Sequence, residues 1–143
     1  MKKPSILVID DEKKFAEAMS ERLRVAGYES TPCFSAKEAW DLVEKEDYDV
    51  VIQDLVMPEI DGIASMKQIK ILKPLTEVIV LSGQATLQTA IEAMRQGSFE
   101  YLEKPCKINM VISTIQDALQ RKNNHEQRIQ KAIEKVNLIT QGV

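Results

Sequence analysis

Short apolar runs recur along the chain at residues 6–9, 50–52 and 78–81, with weaker ones at 28–33 and 99–102. The three strong runs are continuous rather than alternating, the pattern of strands buried on both faces of a parallel sheet. Longer stretches with helical spacing lie between them. Phe15, Met19, Leu23 and Ala26 fall on one face, as do Ala36, Ala39, Trp40 and Val43, then Ile63, Met66 and Ile69. Leu87, Ala90, Ile91 and Met94 repeat the spacing, and Ile108, Val111, Ile112, Ile115 and Leu119 follow it again. The punctuation agrees: Ser35 and Glu38 stand at the spacing of a capping box, and Gly27 and Gly97 fall where helices end.

Five strand–helix units in succession predict an α/β fold with a parallel sheet and helices on both faces. Pro32 lies inside the second strand, and proline is tolerated mainly at sheet edges. An edge position for that strand suits a flavodoxin-like three-layer α/β/α sandwich with strand order 2-1-3-4-5. The 143 residues suit one domain, and no apolar stretch reaches the roughly 20 residues of a membrane span. The opening apolar run is too short for a secretory signal, so the expected location is the cytoplasm. Cys33 and Cys106 have no metal-ligand spacing and read as inert thiols, and the lone His125 has no partner ligands nearby in sequence. With a net charge of -3 the chain is not expected to bind nucleic acid.

Sites in open α/β sheets form beyond the carboxyl ends of the strands. Those ends carry Asp10-Asp11, Asp54, Ser82-Gly83 and Lys104-Pro105. Three carboxylates at one rim repel one another, and a hard divalent cation such as Mg2+ relieves that repulsion. Carboxylates, Mg2+ and a lysine around one point suit phosphoryl transfer. In this reading Asp54 is the nucleophile and becomes an aspartyl phosphate, Lys104 neutralises phosphoryl oxygens, and Ser82 donates a hydrogen bond to one of them. Taken alone, Asp10-Asp11 would read as a helix start, Asp54 as a turn residue and Tyr101 as sheet packing. Asp61 reads as the cap of the third helix, and Trp40, Met57 and Met94 as packing.

Four blocks carry a resemblance. They are Ile6-Leu7-Val8-Ile9-Asp10-Asp11-Glu12, Asp54-Leu55-Val56-Met57-Pro58-Glu59-Ile60-Asp61-Gly62, Leu81-Ser82-Gly83 and Tyr101-Leu102-Glu103-Lys104-Pro105. In this order and spacing they resemble the signature of receiver domains of bacterial two-component response regulators, the CheY-like superfamily. The resemblance implies that Asp54 accepts phosphate from a sensor histidine kinase. It implies that Asp11, Asp54 and the backbone carbonyl of Val56 bind Mg2+, with Asp10 acting through a water. It implies a cis peptide before Pro105, a switch pair of Ser82 and Tyr101, and a downstream protein as the receiver of the signal. The family catalyses only its own phosphorylation and dephosphorylation and is not an enzyme in the metabolic sense. By the resemblance, Val56 and Gln84 stand at the two positions that usually tune hydrolysis of the acyl phosphate in that family.

The receiver domain is expected over residues 1–122, with a helical extension or linker over 123–143. A 3-4 spacing runs through Ile112, Ile115, Leu119, Lys122, Glu126, Ile129, Ile133 and Val136. The extension either folds back on its own domain or projects toward a second protomer or a further domain, and Lys122-Asn123-Asn124 could break it. Self-association as a homodimer stays open. A stand-alone regulator is favoured, and the alternative is a receiver fragment of a longer transcription factor or multidomain signalling protein.

Overall fold

The computed structural model describes residues 2–58, 60–84 and 86–141. Five strands, β1 (Ser5–Ile9), β2 (Glu29–Cys33), β3 (Val50–Gln53), β4 (Glu77–Ser82) and β5 (Glu100–Glu103), alternate with five helices. The helices are α1 (Lys13–Val25), α2 (Ala36–Lys45), α3 (Gly62–Leu72), α4 (Leu87–Arg95) and α5 (Ile108–Thr140). All strand pairs are parallel, in the order β2-β1-β3-β4-β5. Pro32 therefore lies on the edge, where its missing N–H breaks no interior ladder.

Every residue of β3 and β4 is buried, which is why those strands read as unbroken apolar runs. Leu7, Ile9, Val51, Val78 and Val80 face the side covered by α2, α3 and α4, with Val43, Met66 and Ile69 packed on them. Ile6, Val8, Ile52, Ile79 and Leu81 face α1 and α5, against Leu23, Val111 and Ile115. Gly27 and Gly97 end α1 and α4 with φ of 104° and 108°, a backbone region that favours glycine.

Three expectations need correction, and one open alternative is settled. The Ser35 hydroxyl accepts from the Glu38 N–H, but the reciprocal capping box lies elsewhere, at Thr86 and Thr89 of α4. The expected apolar face of α4 is not buried: Leu87, Ile91 and Met94 are exposed, and Ala93 alone is fully covered. The helix lies over β5, a four-residue edge strand, so too little sheet surface is available to cover it. Ala26 is likewise exposed, because it caps α1 rather than continuing its face. Finally, Lys122, Asn123 and Asn124 do not break the last helix, which continues as one element to Thr140.

The path of α5 follows from its side chains. Ile112, Ile115 and Leu119 pack on the domain. Lys122 reaches Asp49 at 3.2 Å and also pairs with Glu126. Beyond that point Ile129, Ile133, Val136 and Ile139 are exposed, so the helix projects rather than folding back. Residues 142 and 143 of the expected extension lie outside the described residues.

One buried charge cluster ties this helix to the sheet. Glu77, at the start of β4, is 2% exposed; Arg121 Nε lies 3.0 Å from one of its oxygens and Lys70 Nζ 3.6 Å from the other. A carboxylate there needs both cations to offset its loss of water.

Candidate functional site

Asp10 follows β1, Asp54 follows β3, Ser82 ends β4 and Lys104 follows β5. The parallel register puts all four at one rim, because every strand runs the same way. Carboxylate oxygens of Asp10, Asp11 and Asp54 all lie within 4.8 Å of one another. Asp10 and Asp54 are buried, and Asp11 is more open.

Lys104 reaches into this cluster from the far side. Its ammonium is 2.6 Å from Asp10, 3.8 Å from Glu12 and 3.9 Å from Asp54. The ring of Phe15 lies beneath it, 3.9 Å from nitrogen to centroid, an aromatic support that the apolar spacing of α1 does not distinguish from ordinary packing. The Lys104-Pro105 peptide is cis.

Burial raises the Asp54 carboxyl above the usual carboxylate range, and the charge of Asp10 raises it further. The Val56 N–H, Lys104 and the Ser82 hydroxyl pull it back down. The Val56 N–H donates to the Asp54 carboxylate at 3.3 Å. Asp10 also accepts from the Glu12 N–H at 2.9 Å, but the cap of α1 is Glu12 itself, without a side-chain cap bond, so Asp10 holds the approach to the helix rather than capping it.

Ser82 is buried, and its hydroxyl accepts from the Gln84 N–H at 3.3 Å. Tyr101 is half-buried against the core on the α4 side. Its hydroxyl shares a hydrogen bond with that of Thr89 at 3.3 Å. Thr89 also closes the cap of α4 with Thr86, so Tyr101 is tied to the start of the helix that follows Ser82. The Thr-x-x-Thr spacing ahead of an apolar helix was the available signal for this pair. Asp61 caps α3 as expected, accepting from the Ile63 N–H. His125, on α5, is not among the acidic group at the rim.

Asp11, Glu12, Asp54, Val56 and Lys104 line one open cleft. Three hard-oxygen donors facing a single point match the donor set of a small divalent cation. The like charges of Asp10 and Asp54 point the same way, since a cation there would offset their repulsion. Among the described residues no helix is long and apolar enough to cross a membrane.

Comparisons with known proteins converge on one family. Residues 6–116 match the family model described as response regulator receiver domain. The chain is 34% identical over 114 residues to the transcriptional regulatory protein ZraR of Escherichia coli K12, a match covering 80% of this chain and 26% of that protein. It thus spans about a quarter of the length of the curated relatives it matches. A response regulator receiver domain protein from Clostridium thermocellum superposes with a TM-score of 0.80 at 35% identity, over 84% of this chain and 97% of that one. A response regulator from Burkholderia pseudomallei, solved with a phosphorylated aspartic acid, a calcium ion and citrate, gives 0.76 at 25% identity over 94% and 86%.

Proposed function

The chain belongs to the response regulator receiver domains of two-component signalling, and from that premise we propose that Asp54 accepts a phosphoryl group in the presence of Mg2+ and thereby switches a protein-interaction surface. The observation that carries this reading is the meeting of Asp10, Asp11 and Asp54 within 4.8 Å, with Lys104 against them. Asp11, Asp54 and the Val56 carbonyl would hold the cation, and Asp10 would act through a water. When bound, Mg2+ supplies positive charge that balances the carboxylates and the phosphoryl oxygens.

An Asp54 carboxylate oxygen attacks phosphorus, and the bond to the donor's leaving group breaks with its electron pair going to that group. The donor is a phosphohistidine of a sensor kinase, or acetyl phosphate in a test tube. Lys104 stands near enough to move from Asp10 toward the new phosphoryl oxygens. The Ser82 hydroxyl donates to one of those oxygens. Tyr101 then leaves its place beside Thr89, and the exposed face of α4 with β5 changes shape. The phosphorylated aspartic acid of the Burkholderia relative supports this chemistry.

The partners in this reading are a sensor histidine kinase and a downstream protein. The projecting part of α5, up to Thr140, belongs to a separate extension assigned to residues 123–143, beyond a receiver unit at 1–122. Its exposed Ile129, Ile133 and Val136 support self-association.

Intact-mass measurement after acetyl phosphate and Mg2+ tests the assignment. One added phosphate is expected on the wild type and none on Asp54→Asn. Asp11→Ala should shift labelling to higher Mg2+. Full labelling of Asp54→Asn would refute the reading.

A further inference from the structure

Gln53 is the last residue of β3, between three buried aliphatic residues and the phosphoacceptor, and it is 0% exposed. A buried carboxamide is costly unless both of its ends are satisfied. Here they are, and at a significant place. Its Nε2 donates to the backbone carbonyl of Asp54 at 2.8 Å, and its Oε1 accepts from the Ser65 hydroxyl at 3.1 Å. The carbonyl can only accept, so it sets which end of the amide faces it. The same Nε2 lies 3.9 Å from Met57 Sδ, at the far end of the turn that carries Val56.

The Asp54 carbonyl is gripped from the other side too. A Cβ placed on Gly62 would fall 2.4 Å from it and 2.4 Å from the Leu55 Cα, so only glycine lets α3 start this close. The Gly62 N–H donates to the Leu55 carbonyl at 3.1 Å. Two consecutive peptide groups after the phosphoacceptor are thus held between Gln53 and the start of α3. Their orientation aims the Val56 N–H, which contacts the Asp54 carboxylate at 3.3 Å.

The network continues outward. The backbone carbonyl of Ser65 accepts from the Trp40 indole N–H at 3.3 Å. Contacts therefore run from the Asp54 carbonyl through Gln53 on β3 to the Ser65 hydroxyl on α3, and the backbone of that same serine meets Trp40 on α2.

We propose that Gln53 is a positioning residue of the phosphoacceptor site: its carboxamide holds the Asp54–Met57 turn in metal-binding shape and, through Ser65, links that turn to Trp40. The proposal rests on the reading of Asp54 and its neighbours as the Mg2+ site. A methionine would fill the same volume and keep the core apolar, yet could not donate to the Asp54 carbonyl. Outer hydrogen-bond partners of this kind typically change metal affinity by about 10- to 100-fold.

The test is calorimetric titration of MgCl2 into the full chain, wild type against Gln53→Met and Ser65→Ala, with Trp40 fluorescence followed in parallel and thermal unfolding checked without metal. Gln53→Met should weaken Mg2+ binding by about tenfold or more, and Ser65→Ala by less. Mg2+ should change Trp40 fluorescence in the wild type, and both variants should lose that change. A folded Gln53→Met that binds Mg2+ as the wild type does would overturn the proposal. If Gln53→Met does not fold, unchanged Mg2+ affinity and an unchanged Trp40 response in Ser65→Ala overturn it instead. A wild type that does not bind Mg2+ overturns both readings. A wild type that binds Mg2+ but takes no phosphate overturns only the phosphoacceptor assignment, and the calorimetric comparison still decides the role of Gln53.

Discussion

Lys104 and Asp10 meet at 2.6 Å although ninety-four positions separate them in the chain. The same ammonium lies 3.9 Å from Asp54, so it is held by one carboxylate and close to another. Its charge occupies space that a divalent cation also favours electrostatically. Lys104→Met should therefore bind Mg2+ at lower concentration, because a competing positive charge is gone. Labelling of Asp54 should nevertheless slow by about a hundredfold, since the phosphoryl oxygens lose a charged donor. Calorimetry and a mass-detected time course check the two effects separately. Slower labelling with weaker Mg2+ binding would contradict this balance.

Ser82 is buried beside Asp54, and Tyr101 is tied to Thr89 at the start of α4. On the proposed reading, Ser82→Ala removes one donor to the phosphoryl group, a loss of about 1 kcal/mol, so labelling should slow by no more than about tenfold. The response of Tyr101 should shrink far more. Amide shifts around Tyr101 on adding a beryllofluoride mimic measure it. Wild-type shifts in the mutant would show that the hydroxyl does not transmit the change.

On the proposed division, the projecting helix serves association and the rest of the chain serves chemistry. Truncation after Lys122 keeps the contacts of Arg121 with Glu77 and of Lys122 with Asp49. Labelling should be unchanged in the shortened chain. A helix whose apolar positions Ile129, Ile133 and Val136 find no cover is marginal in water. Sedimentation should show self-association of the full chain that is lost on truncation. A truncated protein that fails to fold would mean that the extension is part of the core.

The two thiols should behave differently. Cys33 is buried and its thiol is pushed up to about 11, while Cys106 is partly exposed with a smaller rise from burial. A raised folded value means that the native state keeps its proton where the unfolded chain loses it. The Cys33 contribution to stability is thus complete below pH 9 and is lost as the pH climbs toward 11. At pH 8, iodoacetamide should add once, at Cys106, and peptide mapping locates the adduct. Equal labelling of Cys33 in native protein would contradict its burial.

Much of this was legible in residue order. Alternating apolar runs and amphipathic stretches specify strands and helices through local periodicity, and Pro32 marks an edge. In a parallel sheet all strand ends share one rim, so Asp10, Asp54, Ser82 and Lys104 could be brought together without coordinates. Other features depend on which surfaces meet. The periodicity of α4 announces an apolar face, but only the narrow β5 edge leaves Leu87, Ile91 and Met94 uncovered. Glu77 looks like a surface charge until Lys70 and Arg121 arrive from two helices. Gln53 reads as the polar end of a strand until Ser65 and the Asp54 carbonyl close around its amide. Periodicity and strand direction are properties of neighbouring residues and survive in the sequence. The partner of a buried polar group is chosen by packing between distant elements, and that choice exists only once the chain has folded.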